Sequence, residues 1–220
     1  IAGEGHIHPV TLEFGDQQSS TLASLMYYDS GTGGSRDGFL YGDKAYSSAR
    51  VDPVNLVRSI KTVVSRRPDA HYLFVEPVGG ERVPLVRRSA RELLNLFIDE
   101  LRRRGERGVS VLSPAVRDQL KMETAQVVFR RAVFTHPVEV SPEMKHALME
   151  AAHGAGINRH LTHVDEFFEQ SCVDEATAAV LAYVDSLVDL EQGSGHETDR
   201  LICFDMGGGT TDIAAVEVAS

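Results

Sequence analysis

Apolar positions recur along this chain in two rhythms, one of period two and one near 3.6. "PVTLEF" (9–14), "TLASLMYY" (21–28) and "FLYG" (39–42) follow the first and predict strands, with the glycine-rich "DSGTGGSRDG" (29–38) as a loop. Asp52 before Pro53 is a helix-start pair, and Val54, Val57, Ile60 and Val64 share one helical face, so a single helix is predicted from Pro53. "HYLFVEPVGGERVPLV" (71–86) predicts a hairpin turning on its two glycines. Ser89 and Glu92 then form a capping box. It opens a helix with Leu93, Phe97 and Leu101 as its stripe, "RRR" near its end and Gly105 as its stop.

Residues 106–126 are polar and mixed, with a short helix possible after Ser113-Pro114. "AQVVFRRAVFTHP" (125–137) predicts a strand, and Ser141-Pro142 opens a helix that Gly154 or Gly156 closes. "INRHLTHV" (157–164) is a short strand candidate, and "VDEATAAVLAYVDSLVDL" (173–190) is helical by propensity. "EQGSGHETDR" (191–200) reads as a solvated loop, and "LICFDMGGGTTDIAAVEVAS" (201–220) as strand, turn, strand. Strands and helices alternate without an internal repeat, so the class is α/β.

The 220 residues, 42% hydrophobic, suffice for one large or two small domains. A formal charge of -10 argues against nucleic acid or an anionic membrane as partner. Cys172 and Cys203 cannot build a disulfide framework. Cys203, inside an apolar run, is expected to be a small buried hydrophobe, and the setting to be reducing and cytoplasmic. No apolar run approaches the roughly 20 residues of a membrane span, and no secretory pattern opens the chain. Because it starts at Ile1 and not Met, it is expected to be a piece of something longer. His6 with His8, and His160 with His163, lack a supporting ligand set, so no structural metal is expected.

The stretch with the most chemistry is "FDMGGGTTDIAAVEV" (204–218). It continues with β-branched, period-two character and has no Walker A lysine, so it is a hairpin tip and not a P-loop. Gly207, Gly208 and Gly209 let backbone N–H groups approach phosphate oxygens without Cβ interference. Thr210 and Thr211 add hydroxyl donors. Asp205 and Asp212 would repel a bare phosphate, so the pair calls for a cation; magnesium held by carboxylates and nucleotide phosphates meets that need. A plain glycine-rich turn is the alternative, although a two-residue turn needs only one or two such residues.

"DMGGGTTD" resembles the second phosphate motif of the actin, sugar-kinase and heat-shock ATPase superfamily, and within it the seventy-kilodalton heat-shock chaperones. "FLYGDKAYSSARVDPVNLVRSIK" (39–61) is similar to the family's strand, Gly-x-x-Ala and helix segment leading to its catalytic lysine. "AVFTHPVEVSPEMKHALMEAAHGAGI" (132–157) is similar to its strand, proline and helix before the cleft crossing, and "DEATAAVLAY" (174–183) to its Glu-Pro-Thr-Ala-Ala helix start. The resemblance implies an actin-like, ribonuclease-H-like α/β architecture, here incomplete. Residues 1–197 would be part of the first lobe of a nucleotide-binding domain, and 198–220 the first β-hairpin of the second.

By the same resemblance, Lys61 stabilises charge on the transferred phosphoryl group and positions the attacking water. Taken alone it would be a solvated helix lysine. Glu175 reaches the magnesium shell through water, Asp205 stands near metal and water, Thr210 faces the terminal phosphate and Asp212 belongs to a cation site. ATP and Mg2+ are the implied cofactors of the intact parent, with K+ a further cation. Its partners would be client polypeptides and co-chaperones. Pro137 matches a proline that relays nucleotide state. Ala176 stands for the family's Pro and His153 for its usual Arg, which puts the relay in question more than nucleotide binding. The first phosphate motif has no acceptable match, since Asp29-Ser30-Gly31-Thr32 is a plain loop.

Two rival readings are a hydantoinase- or oxoprolinase-type enzyme, whose loop also reads Asp-Met-Gly-Gly, and a nucleotide-insensitive interaction module of the same fold. The isolated chain is expected to show little ATPase. Its terminal hairpin, with unpaired apolar strands, is expected to self-associate or stay poorly ordered.

Overall fold

The computed structural model describes residues 2–3, 6–7, 12, 19–31, 37–110, 127–188, 198–206 and 211–219. Most of the strand expected over 9–14, the centre of the 29–38 loop, the helix after Ser113-Pro114 and residues 207–210 therefore lie outside the described residues. The chain is mixed α/β with small sheets, and its residues group into two compact units, 1–130 with 146–159, and 131–145 with 160–220.

In the first unit, β1 (Ala2–Gly3) pairs with β2 (His6–Ile7), and β3 (Leu25–Tyr28) lies between β4 (Phe39–Tyr41) and β5 (Leu56–Arg58), antiparallel to both. Period-two burial is plain in β3, where Met26 and Tyr28 are buried and Leu25 and Tyr27 only partly so. After β4 comes α1 (Asp43–Ala49), packing Ala45 and Ala49 inward; the sequence reading placed no separate helix there.

The helix predicted from Pro53 is not one element. Asp52 does cap, accepting from the Val54 N–H at 3.1 Å, but what it caps is a single 3-10 turn, Pro53–Asn55. β5 follows, then Ser59 with φ 51°, then α2 (Ile60–Arg66). Val57, Ile60 and Val64 are all buried, but Val57 pairs with Met26 in the sheet while the other two belong to α2. A helical spacing arose from two elements, because β-branched Val57 could satisfy its backbone in a sheet.

β6 (His71–Val78) and β7 (Glu81–Ser89) form the predicted hairpin, and Gly79 and Gly80 have φ of 62° and 90°, as a type I′ turn demands. Its register shifts at Phe74/Val75, a bulge. Phe74 packs against Tyr28 and Phe39 with ring centroids 5.2 Å away, joining the hairpin to the three-stranded sheet.

The capping box opens α3 (Ala90–Ser110): the Ser89 N–H donates to Glu92 Oε2 at 2.6 Å, and the Glu92 N–H to Ser89 Oγ at 3.2 Å. Gly105 does not stop this helix. Its missing side chain admits Phe129, whose Cε2 would lie 2.6 Å from a Cβ there. The Phe129 N–H donates to Glu106, so 127–130 is fastened along the helix and not extended as the long strand predicted over 125–137. α4 (Pro142–Gly154) ends as expected, with Gly156 at φ 82° and the Ile157 N–H reaching Ala152 O at 2.8 Å.

In the second unit, β8 (Phe134–His136) pairs in parallel with β9 (Cys172–Asp174). Residues 157–164, which run from the first unit into the second, are not a strand. Asn158 has φ 52°, and α5 (Val164–Ser171) begins at the end of that stretch and buries Phe167. α6 (Glu175–Val188) packs on both β10 (Thr198–Met206) and β11 (Thr211–Ala219), which form the antiparallel terminal hairpin. No helix among the described residues is long and apolar enough to cross a membrane.

Candidate functional site

The terminal hairpin closes in a register that matters for its chemistry. Asp205 pairs with Asp212 and Met206 with Thr211, leaving residues 207–210 as the connection. The two acidic residues thus occupy one rung of the ladder, Asp205 two residues before the first glycine and Asp212 three after the last. Gly207, Gly208, Gly209 and Thr210 lie outside the described residues.

Glu175 begins α6, in the same unit as the hairpin. The residue before it does work that the sequence reading missed. Asp174 accepts the Thr177 N–H at 2.8 Å and so caps the helix. Hydrogen bonds from the Thr177 hydroxyl and N–H hold the Asp174 carboxyl below its ordinary range. The signal was present as Asp-x-x-Thr ahead of an alanine-rich run. Ala176, in the first turn, is fully buried.

Lys61 belongs to the first unit, as the second residue of α2, and is half-buried. Its position follows from the break after β5: the Ser59 N–H donates to Ser24 O, and the Val63 N–H to Ser59 O, both at 3.1 Å. The left-handed turn at Ser59 carries the chain from strand straight into helix.

Pro137 follows β8. The His136 Nδ1 lies 2.6 Å from the Pro137 carbonyl oxygen, which accepts its proton. The His136 ring stands 5.3 Å from that of Phe168, and the Lys145 ammonium lies 5.1 Å over the same Phe168 ring. His153 is a last-turn residue of α4 whose carbonyl accepts from Arg159 Nε at 3.0 Å.

Cys172 and Cys203 are free thiols, and both are half-buried, so Cys203 is less enclosed than expected. Burial pushes the Cys172 thiol up to about 11, which leaves it a poor nucleophile at neutral pH. Among the residues whose side chains are described, which do not include Asp205 and Asp212, no group of three or more His, Cys, Asp or Glu is arranged to hold a metal ion.

No protein-family model matches the chain. It is 26% identical over 213 residues to a protein of Vibrio atlanticus (strain LGP32) described as "Chaperone protein HscA homolog". That match takes in 93% of the chain but only 29% of the relative's length. The relationship is a distant one to a heat-shock chaperone, and the chain corresponds to a minor part of it.

Proposed function

We propose that the chain is part of a MgATP-binding, ATP-hydrolysing domain of actin-like, ribonuclease-H-like architecture, in a chaperone-like parent. The observation that carries this reading is the hairpin register: Asp205 opposite Asp212, with three glycines and Thr210 between the strands. The distant likeness to the chaperone relative supports it from outside the motif. The donor chemistry also fits. Carboxylates are hard oxygen ligands suited to Mg2+, and glycine backbone suits a polyphosphate.

In this reading Gly207, Gly208 and Gly209 offer N–H groups to the β- and γ-phosphates, and Thr210 and Thr211 add hydroxyl donors. Asp205, Asp212 and Glu175 serve the Mg2+ shell and its waters, and K+ is a second cation for the Asp212 side. Bound magnesium would neutralise charge on the terminal phosphates. Lys61, Asp205 and Thr210 would orient the attacking water and steady the developing charge. Client polypeptides and co-chaperones belong to the parent's other parts, and the setting is cytoplasmic. Residues 1–197 are assigned to the first lobe and 198–220 to the second. That boundary concerns the intact domain, whereas the two units of this chain divide elsewhere because α6 packs on β10 and β11.

Calorimetric titration of the intact parent with ATP, with and without Mg2+, tests the proposal. Magnesium-dependent binding with slow hydrolysis is the expected result. Absence of heat under both conditions would favour a nucleotide-insensitive module and overturn it.

A further inference from the structure

The hairpin β6–β7 keeps its carboxylates to one face. Strand alternation puts Phe74, Glu76, Glu81 and Arg88 on one side, and Leu73, Val75, Pro77, Arg82, Pro84 and Arg87 on the other. The first side is the inner one, since Phe74 is buried against Tyr28 and Phe39. The second is open: Leu73 is 55% exposed, and both prolines and both arginines are exposed. Both carboxylates of the hairpin therefore lie on the inner side, and the outer side is apolar with two guanidinium groups.

Its edges are interrupted for strand addition. The Val75 N–H donates to Asn55 Oδ1 at 3.0 Å, and its carbonyl accepts from Asn55 Nδ2 at 2.7 Å, so Val75 turns its backbone away from β7. Pro77, two residues on, has the same outward orientation, and Pro84, the register partner of Val75, turns away from β6. Neither proline has an N–H to offer, so each edge lacks a donor. The side chains of the open face therefore offer a partner more than the edges do.

Charge decides which partner. The chain carries -10 overall, yet this face presents Arg82 and Arg87. Arg82 meets Asp52 at 3.3 Å in an exposed, weak pair, and Arg87 has no ion-pair partner among the described residues. Two copies meeting symmetrically through this face would set arginine against arginine.

We infer that the open face of β6–β7 is a docking surface for an acidic, apolar segment of a partner polypeptide. The carboxylates of that segment meet Arg82 and Arg87, and its aliphatic side chains cover Leu73 and Val75.

The test titrates a fluorescein-labelled peptide of alternating Glu and Val into the chain, read by anisotropy, with a Lys/Val peptide as control. The acidic peptide binds and the basic one does not, and the affinity falls steeply between low salt and about 0.5 M NaCl. Arg87→Glu weakens binding about tenfold or more. Glu81→Arg, an opposite charge change at the same hairpin but on the inner face, does not weaken it. Leu73→Ser weakens binding without changing its salt dependence. Unchanged circular dichroism confirms that each variant is folded, and Arg87→Gln gives a milder replacement for Arg87→Glu. Equal binding of both peptides, or indifference to Arg87→Glu and Arg87→Gln, overturns the inference. So does sedimentation of the chain as a dimer that Leu73→Ser dissolves, since a second copy would then be the occupant.

Discussion

Asn55 ties the β6–β7 hairpin to the 3-10 turn that Asp52 caps, and replacing it measures that tie. Asn55 is 7% exposed, and its side chain makes two hydrogen bonds to one backbone residue, donating to Val75 O at 2.7 Å and accepting from Val75 N at 3.0 Å. Each such bond contributes roughly 0.5–1.5 kcal/mol net. Val75 is half-buried at a sheet edge, so water reaches its freed groups in part and the full desolvation penalty is not incurred. Asn55→Ala should therefore destabilise the first unit by about 2 kcal/mol. Urea unfolding gives that difference as a shift in midpoint at constant slope. Hydrogen exchange of the Val75 amide should quicken by roughly thirtyfold if the loss is local. Asn55→Asp separates donor from acceptor. Its carboxylate still accepts from the Val75 N–H but faces the Val75 carbonyl, so its folded-state pKa is raised above the unfolded value. The protonated form can donate to that carbonyl, so stability is retained at low pH and lost as pH rises through the folded pKa. An Asn55→Ala cost below about 0.5 kcal/mol, or an Asn55→Asp variant with no pH dependence, would refute the reasoning.

Phe74→Ala removes the buried ring that links Tyr28 and Phe39 to the hairpin, and should cost about 3–5 kcal/mol in chemical denaturation. Glu92 and Asp174 both have carboxyls held below their ordinary values of 4.5 and 3.8, Glu92 chiefly by the Ser89 N–H and Asp174 by Thr177. Their contribution is present above those values and lost as pH falls through the lower folded ones. The thermal midpoint should thus drop below about pH 4.5, less so in Asp174→Asn, which keeps a cap without a charge.

The parts legible in sequence are those whose signal is local. Two adjacent glycines between apolar runs defined the β6–β7 hairpin, and Ser-x-x-Glu defined the start of α3, because turn and cap chemistry reside within four residues. Gly156 closed α4 for the same reason. The errors came where tertiary contact outweighed local pattern. Val57 fitted a helix face but found Met26 in a sheet. Gly105 looked like a terminator but makes room for Phe129. Residues 157–164 looked extended, yet Asn158 turns and α5 starts at Val164. At the candidate site, strand-turn-strand was legible from 201–220, and the register then added that Asp205 and Asp212 share a rung. The Asp174 cap is equally local, an Asp-x-x-Thr in which Asp174 accepts the Thr177 N–H. Lys61 and the glycine stretch fall in different units of the chain, and the 144 residues between Lys61 and Met206 carry no local pattern that links the two.

Crystals of the intact parent grown with Mn2+ in place of Mg2+ and a non-hydrolysable ATP analogue test the central claim most directly. The expected result is an anomalous metal peak served by Asp205 and the terminal phosphates, with those phosphates against Gly207, Gly208 and Gly209. A polyphosphate bound elsewhere, with that glycine stretch facing only solvent, would contradict it.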